Sequence, residues 1–359
     1  MASIKKRPDG AWRARYRDAD GKEHSQHFQR KIDAQKWLDG VTASIMTGAY
    51  VDPKMARLTV TEWCESWLIG YGSKRASSVR QAGVHVKHIV EAFGSKQLAQ
   101  VRPSEVKAWT VKLKDSGYAD STIYAIHSRL AQIMADAVHD GIIPKSPCSR
   151  RTSPAMGKQR PYVATTAQVW ALHDRMPESM RAAVLLGAFA GLRIAEVAAL
   201  RNTDIDFMRG VIAPAIQYPA EPLKTEVSKT PIPIPQELAL ELSRNAAKWG
   251  SDTIVTSEFG RSVSPHFIED AFRAVRVAVE GLPEGFRFHD LRHYFASLLI
   301  ASGLDVKVVQ NRLRHASAKT TLDTYSHMWP DKDESARAAV ASVLAARADS
   351  VRTEAATSL

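Results

Sequence analysis

The chain has 359 residues and carries 49 Lys and Arg against 38 Asp and Glu, a formal net charge of +11 at pH 7. This length exceeds one ordinary core and predicts two or three domains, while the positive balance points to a polyanionic partner such as a phosphate backbone. Cys64 and Cys148 stand too far apart for a disulfide framework or a zinc site and fit a reducing cytoplasm; MASIKKRPDG has no signal-peptide run, and no apolar segment is long enough to cross a bilayer, so no membrane partner is expected.

In WRARYR, strict alternation places Trp12, Ala14 and Tyr16 on one side of a strand and Arg13, Arg15 and Arg17 on the other. The turn signal from Asp18 to Gly21 leads to a partner strand in KEHSQHF. A helix from about Ile32 to Thr47 then lays Ala34, Trp37, Leu38, Val41 and Ile45 over the sheet. A charged strand can be a mere solubility device. The functional alternative is a DNA-reading sheet, because strands enter a groove and three arginines on one face supply phosphate or base-edge donors.

From Leu58 to about Ile143 four segments show helical periodicity, with Ser or Asp caps, a Pro in a first turn, and glycines at Gly117 and Gly141 as stops. Their polar faces carry Lys74, Arg75, Arg80, Lys87, Lys107, Lys112, Lys114 and Arg129. Such faces either contact DNA or are simply solvated. PKSPCSRRTSPAMGKQRP then breaks all periodicity and reads as a basic linker. The remainder is mostly helical, interrupted by a stretch from Arg201 to Pro235 that reads as three short strands, the last confined to an edge by the prolines of TPIPIP. Helices are expected to begin near Pro235, Ser264, His289, Leu304, Lys319 and Lys332. The expected domains are 1–56, 57–143, a linker over 144–162, 163–348, and a tail over 349–359.

Polar groups that packing does not ask for cluster in four places. In FHDLRHYFASLL, a helix puts His289, Arg292, His293 and Ala296 on one face, with Leu291, Phe295, Leu298 and Leu299 opposite. In GAFAGLRIAEVAAL, a break at Gly191 precedes a helix on which Arg193 and Glu196 share a face, as an ordinary ion pair would. In QNRLRHASAKTTLDTYSH, His315 ends one short helix and Tyr325 sits on the next; Lys224 lies in a polar hairpin. Each has a bland explanation. Together they can place two arginines, two histidines, a lysine and a tyrosine around one point, with no carboxylate cluster and no Cys/His metal spacing. A cation-rich, metal-free set suits holding a phosphodiester while a hydroxyl attacks it.

The ordered series GLRIAEV, LKT in a hairpin, HDLRH, then RH followed ten residues later by Tyr resembles the tyrosine recombinase (phage integrase) family, over roughly Val163 to Leu344. The amino-terminal half is similar to integrases of temperate phages and integrative elements. The resemblance implies a multidomain, mainly α fold with small β-sheets: a three-stranded sheet plus helix for arm-type DNA sites, a four-helix core-site-binding domain, and a mixed α/β catalytic domain. It implies site-specific cutting and rejoining of DNA through a covalent 3′-phosphotyrosine, without metal, ATP or other cofactor.

The resemblance assigns Arg193 and Arg292 as phosphate clamps, His289 and His315 as hydrogen-bonding and proton-handling groups, Lys224 as general acid and Tyr325 as nucleophile, with Glu196 and His293 in support. Two departures stand out: Arg314 occupies a position where most members carry Gly, and Lys229 competes with Lys224. The implied partners are double-stranded DNA with core-type and arm-type sites, a homotetramer on DNA, a host DNA-bending protein and a directionality factor, in a bacterial cytoplasm. The Ala-rich segment DESARAAVASVLAARA either docks on a neighbouring protomer or packs in cis. A non-cutting DNA-binding regulator and a resolvase- or topoisomerase-like enzyme are the alternatives; the full set of six positions argues against the first, and the arm-type module against the second.

Overall fold

Period-two alternation at the start of the chain closes into a small antiparallel sheet. A computed structural model describes residues 2–18, 21–47, 50, 55–157, 161–223, 225–329 and 341. Strands β1 (Ser3–Lys6), β2 (Trp12–Arg17) and β3 (Glu23–Phe28) pair in the order β1-β2-β3, with Ile4 opposite Ala14 and Tyr16 opposite His24. Ala14 and Tyr16 are buried beneath Ala34 and Leu38 of α1 (Lys31–Met46), and the Tyr16 ring meets Trp37 edge-on at 5.5 Å. On the other face Arg13, Arg15 and Arg17 all lie within ion-pair distance of Glu23.

Four helices follow: α2 (Val60–Tyr71), α3 (Ala76–Phe93), α4 (Pro103–Asp115) and α5 (Asp120–His139). Thr59 and Glu62 form a reciprocal capping box that fixes the start of α2. The helices converge on a core that includes Trp63, Ile89, Phe93, Trp109, Leu130 and Ile133. Two indoles also find partners there: Trp63 donates to the Ile133 carbonyl at 3.0 Å and Trp67 to the Asp136 carboxylate at 2.6 Å. Lys74, Arg75 and Arg80 stand exposed around the start of α3.

The stretch expected to be a linker departs from that expectation in its first half. Cys148 packs against the helical core, and Thr152 is buried with its hydroxyl 3.2 Å from His127 Nε2. Pro-rich, basic composition predicts a tether, but Cys148 and Thr152 are held against the helices of this unit. Contacts within the chain group residues 1–158 into one compact unit and 159–359 into another.

The second unit is built around α7 (Arg181–Phe189), which is apolar on every side and buried almost throughout. Around it lie α6 (Thr166–Arg175), α8 (Ile194–Ala199), α9 (Gln236–Trp249), α10 (Pro265–Arg276) and α11 (Asp290–Ala301). Between α8 and α9 the sequence predicted three strands. Among the described residues five strands of two residues each run there: β4 (Ile205–Asp206), β5 (Val211–Ile212) and β8 (Ile232–Pro233) form one sheet with β8 at its edge, and β6 (Ile216–Gln217) with β7 (Glu221–Pro222) forms a separate hairpin. The excess arises because Pro214, Pro219 and Pro231 cannot donate to a ladder and cut the stretch into short pieces.

A smaller core at the carboxyl side joins α11 to α12 (Val306–Arg312) and α13 (Ala318–Tyr325) through Phe295, Ala296, Ile300, Val309, Leu313 and Tyr325. The helix expected near Lys332 and all but one residue of the Ala-rich segment lie outside the described residues, as does Lys224. Among the described residues no helix is long and apolar enough to cross a membrane.

Candidate functional site

Four short segments bring the singled-out residues together. The first is the turn between α7 and α8. Gly191 adopts φ +62°, and a Cβ there would lie 2.5 Å from the Phe295 ring, so only glycine lets this turn press against α11. The turn delivers Arg193 to the N-cap of α8, where Glu196 reaches back to its backbone N–H at 2.9 Å and accepts from its Nη1 at 3.0 Å. The Arg193 side chain stays 37% exposed while Glu196 is buried.

The second is α11. Much of the face that bears these groups is inside the protein: Arg292 is only 2% exposed, and His293 lies mostly covered. Leu298, placed on the apolar stripe by periodicity, is instead exposed, because α11 is covered on two sides, by α7 and by α12, and no single stripe describes its burial. The Arg292 guanidinium donates through Nη1 to the Gly191 carbonyl and through Nη2 to the Leu313 carbonyl. It therefore joins the turn before Arg193 to the turn before His315. Burial, then the neighbouring Arg193 and Arg314, pull its pKa down from the usual arginine value, yet it remains a cation at neutral pH.

The third segment, between α12 and α13, carries Arg314 and His315. His315 Nδ1 lies 2.9 Å from the Thr321 hydroxyl, and its ring is parallel to that of Tyr325 with centroids 6.5 Å apart. Burial and then Arg292 and Arg193 lower His315 to about 4. Arg314, noted in the sequence only as a departure, is 1% exposed with φ +50°. Its Nη1 donates to the Ser228 carbonyl at 2.7 Å and its Nη2 to Glu196. Burial pushes the Glu196 carboxyl up, but Arg314, the Arg193 N–H and the Arg193 charge outweigh it and hold that group below its ordinary range.

The fourth is the end of α13. Tyr325 is 2% exposed, and its hydroxyl lies 2.6 Å from His293 Nδ1. Asp290 Oδ1 stands 3.8 Å from the other nitrogen of that ring, which favours the tautomer protonated at Nε2, so Nδ1 accepts from the phenol. Burial, then Arg292, lowers His293 to about 4, and burial raises Tyr325 to about 12. His289, at the N-cap of α11, meets His293 edge-on at 5.3 Å. Desolvation and then His293 and Arg292 pull it down as well, an effect bounded by its solvent-exposed edge.

Arg193, Glu196, His289, Arg292, His293, Arg314, His315 and Tyr325 thus lie within electrostatic reach of one another. Lys229, the rival lysine, is half exposed and bonded to Glu226 at 2.8 Å in the turn Glu226–Lys229. Among the described residues no group of three or more His, Cys, Asp or Glu side chains converges as metal ligands would. Sequence reasoning missed the Arg314 contacts, because they depend on burial and on two segments distant in the chain.

Comparison with known proteins finds relatives over both units. Residues 164–331 match the phage integrase family, and residues 2–47 match the phage integrase N-terminal domain. A putative prophage phiRv2 integrase of Mycobacterium tuberculosis is 26% identical, the match covering 90% of each chain, and an integrase of Mycobacterium phage D29 is 23% identical over 83% of this chain and 84% of that one. Among solved structures, the Tn1549 transposon integrase in complex with transposon right end DNA superposes with a TM-score of 0.69 at 20% identity, covering 80% of this chain and all of that one. A lambda integrase dimer bound to a COC′ core site gives 0.63 at 20% identity, covering 91% and 96%.

Proposed function

This chain belongs to the phage integrase family, the tyrosine recombinases, and from that premise we propose that it is a site-specific recombinase that cuts and rejoins DNA to integrate and excise a phage or mobile element. The observation that supports the reading is the electrostatic coupling of Arg193, His289, Arg292 and His315, beside a buried Tyr325 whose hydroxyl is bonded to a neutral imidazole.

Charge builds on the non-bridging oxygens of the phosphodiester as the phenol attacks, and guanidinium groups pair with such oxygens in a fork. Arg193 and Arg292 take this role, with neutral His289 and His315 as hydrogen-bond partners. Tyr325 Oη forms the bond to phosphorus, its proton passes to His293 Nδ1, and the bond from phosphorus to the 5′-oxygen breaks. The leaving oxygen takes a proton from Lys224, the general acid in this reading. The resulting 3′-phosphotyrosine retains the energy of the phosphodiester, so a partner strand's 5′-hydroxyl reverses the step and reseals the DNA without ATP. Because Tyr325 is buried, attack requires the end of α13 to shift when DNA binds.

Exchange between two duplexes needs four such sites, hence a tetramer on DNA. Arg13, Arg15 and Arg17 serve arm-type sites, and Lys74, Arg75 and Arg80 serve core-type sites. A host bending protein and a directionality factor complete the assembly.

The test is incubation with a nicked suicide duplex spanning DNA beside the protein's own gene, followed by denaturing electrophoresis. A covalent adduct lost in Tyr325→Phe is expected. A duplex that is bound but never joined would establish a non-cutting regulator instead, and an adduct surviving Tyr325→Phe would place the nucleophile elsewhere.

A further inference from the structure

Arg314 adopts a left-handed backbone conformation that glycine reaches freely and an arginine reaches only with strain. Where the family pattern carries glycine, this chain accepts that strain, and the side chain shows what it obtains in return. The guanidinium is 1% exposed and spans two segments more than eighty residues away in sequence, binding the buried Glu196 carboxylate with one nitrogen and the Ser228 carbonyl with another. Glu196 in turn holds both the backbone and the side chain of Arg193. Ser228 is buried within the turn that Thr225 opens, its N–H and hydroxyl both bonded to the Thr225 hydroxyl. That turn immediately follows Lys224 and contains Lys229.

We propose that Arg314 is a positioning residue of the site, fastening the lysine-bearing turn to the carboxylate that orients Arg193, so that phosphate clamp and leaving-group acid share one frame. The inference rests on the recombinase reading above, in which Lys224, directly before this turn, protonates the leaving oxygen; Lys229 lies within the turn. It does not depend on which of the two lysines acts. Glu196 remains held by Arg193 when Arg314 is removed, whereas the Ser228 carbonyl loses its side-chain donor. The consequence of losing Arg314 therefore falls mainly on leaving-group protonation.

The experiment compares single-turnover cleavage of two substrates by the full chain: an ordinary duplex, and one in which the bridging 5′-oxygen is replaced by sulfur. A thiolate departs without a proton, so the sulfur substrate bypasses the acid. Arg314→Gly should slow cleavage of the oxygen substrate by about tenfold to a hundredfold, the scale of a misplaced catalytic group, and cleave the sulfur substrate at the wild-type rate. Arg314→Lys keeps a charge beside Glu196 but cannot reach both acceptors at once. It should lower the oxygen-to-sulfur rate ratio in the same sense, and it decides the matter if the glycine variant does not fold. Equal slowing on both substrates, or no slowing on either, would overturn the proposal. Wild-type protein that cleaves neither substrate would remove the recombinase reading itself.

Discussion

His293 and His315 sit in the site as neutral imidazoles, each held down to about 4 chiefly by burial, and this makes the second unit acid-labile over a definite range. In the unfolded chain a histidine titrates near 6.5. Because the folded values lie below the unfolded one, the unfolded state binds more protons between pH 6.5 and 4, and stability falls as pH drops through that window and levels off below it. At pH 5 each histidine contributes about 2 kcal/mol of destabilisation relative to pH 7.5. The pair together lowers the melting temperature by about 8–16 °C for a unit of this size. Calorimetry of the wild type at pH 7.5 and 5, beside His293→Asn and His315→Asn, isolates the effect from the carboxylates. Each variant should recover about half of the histidine-linked loss at pH 5. Variants that lose as much stability as the wild type on acidification would show that these imidazoles are not held neutral by the fold.

Arg193→Ala should slow strand cleavage by about a hundredfold, the typical cost of one preorganised donor, and leave the melting temperature nearly unchanged, because its side chain is 37% exposed. Arg292→Ala should lose at least as much activity and in addition about 1–3 kcal/mol of stability, because the Gly191 and Leu313 carbonyls lose their donor; an equally stable variant would refute that account. Replacing Arg13, Arg15 and Arg17 together by Ala should flatten the salt dependence of DNA binding by up to about three in the slope of log affinity against log salt; an unaltered slope would mean that their pairing with Glu23 persists on DNA. Leu130→Ala, at a fully buried position in the helical core, should cost about 2–5 kcal/mol in urea unfolding.

Much of this is legible in the sequence alone. The period-two pattern of WRARYR and the helical periodicity of the four segments between Leu58 and Ile143 depend on local geometry, and local geometry survives folding. Gly191 announced its break because a left-handed turn has few other occupants. The short strands between Arg201 and Pro235 were harder, since two-residue pairings leave no periodicity to read. Arg314 was visible as an oddity but not as a tie, because its two acceptors lie 118 and 86 residues away in sequence. The burial of Arg292 and Tyr325 was equally hidden: charge and hydroxyl suggest surface, and only the packing of α11 against α7, α12 and α13 puts them inside.

Arg292 spends two of its nitrogens on peptide carbonyls, and this bears on how such a protein can change over generations. A lineage that gave up cutting while keeping its grip on DNA would find Tyr325 inexpensive to alter, since Phe fills the same space at the loss of one hydrogen bond. Position 292 offers no such exit. The guanidinium there is a keystone for the turns bearing Arg193 and His315, so descendants that no longer cleave should retain this arginine long after their tyrosine has gone.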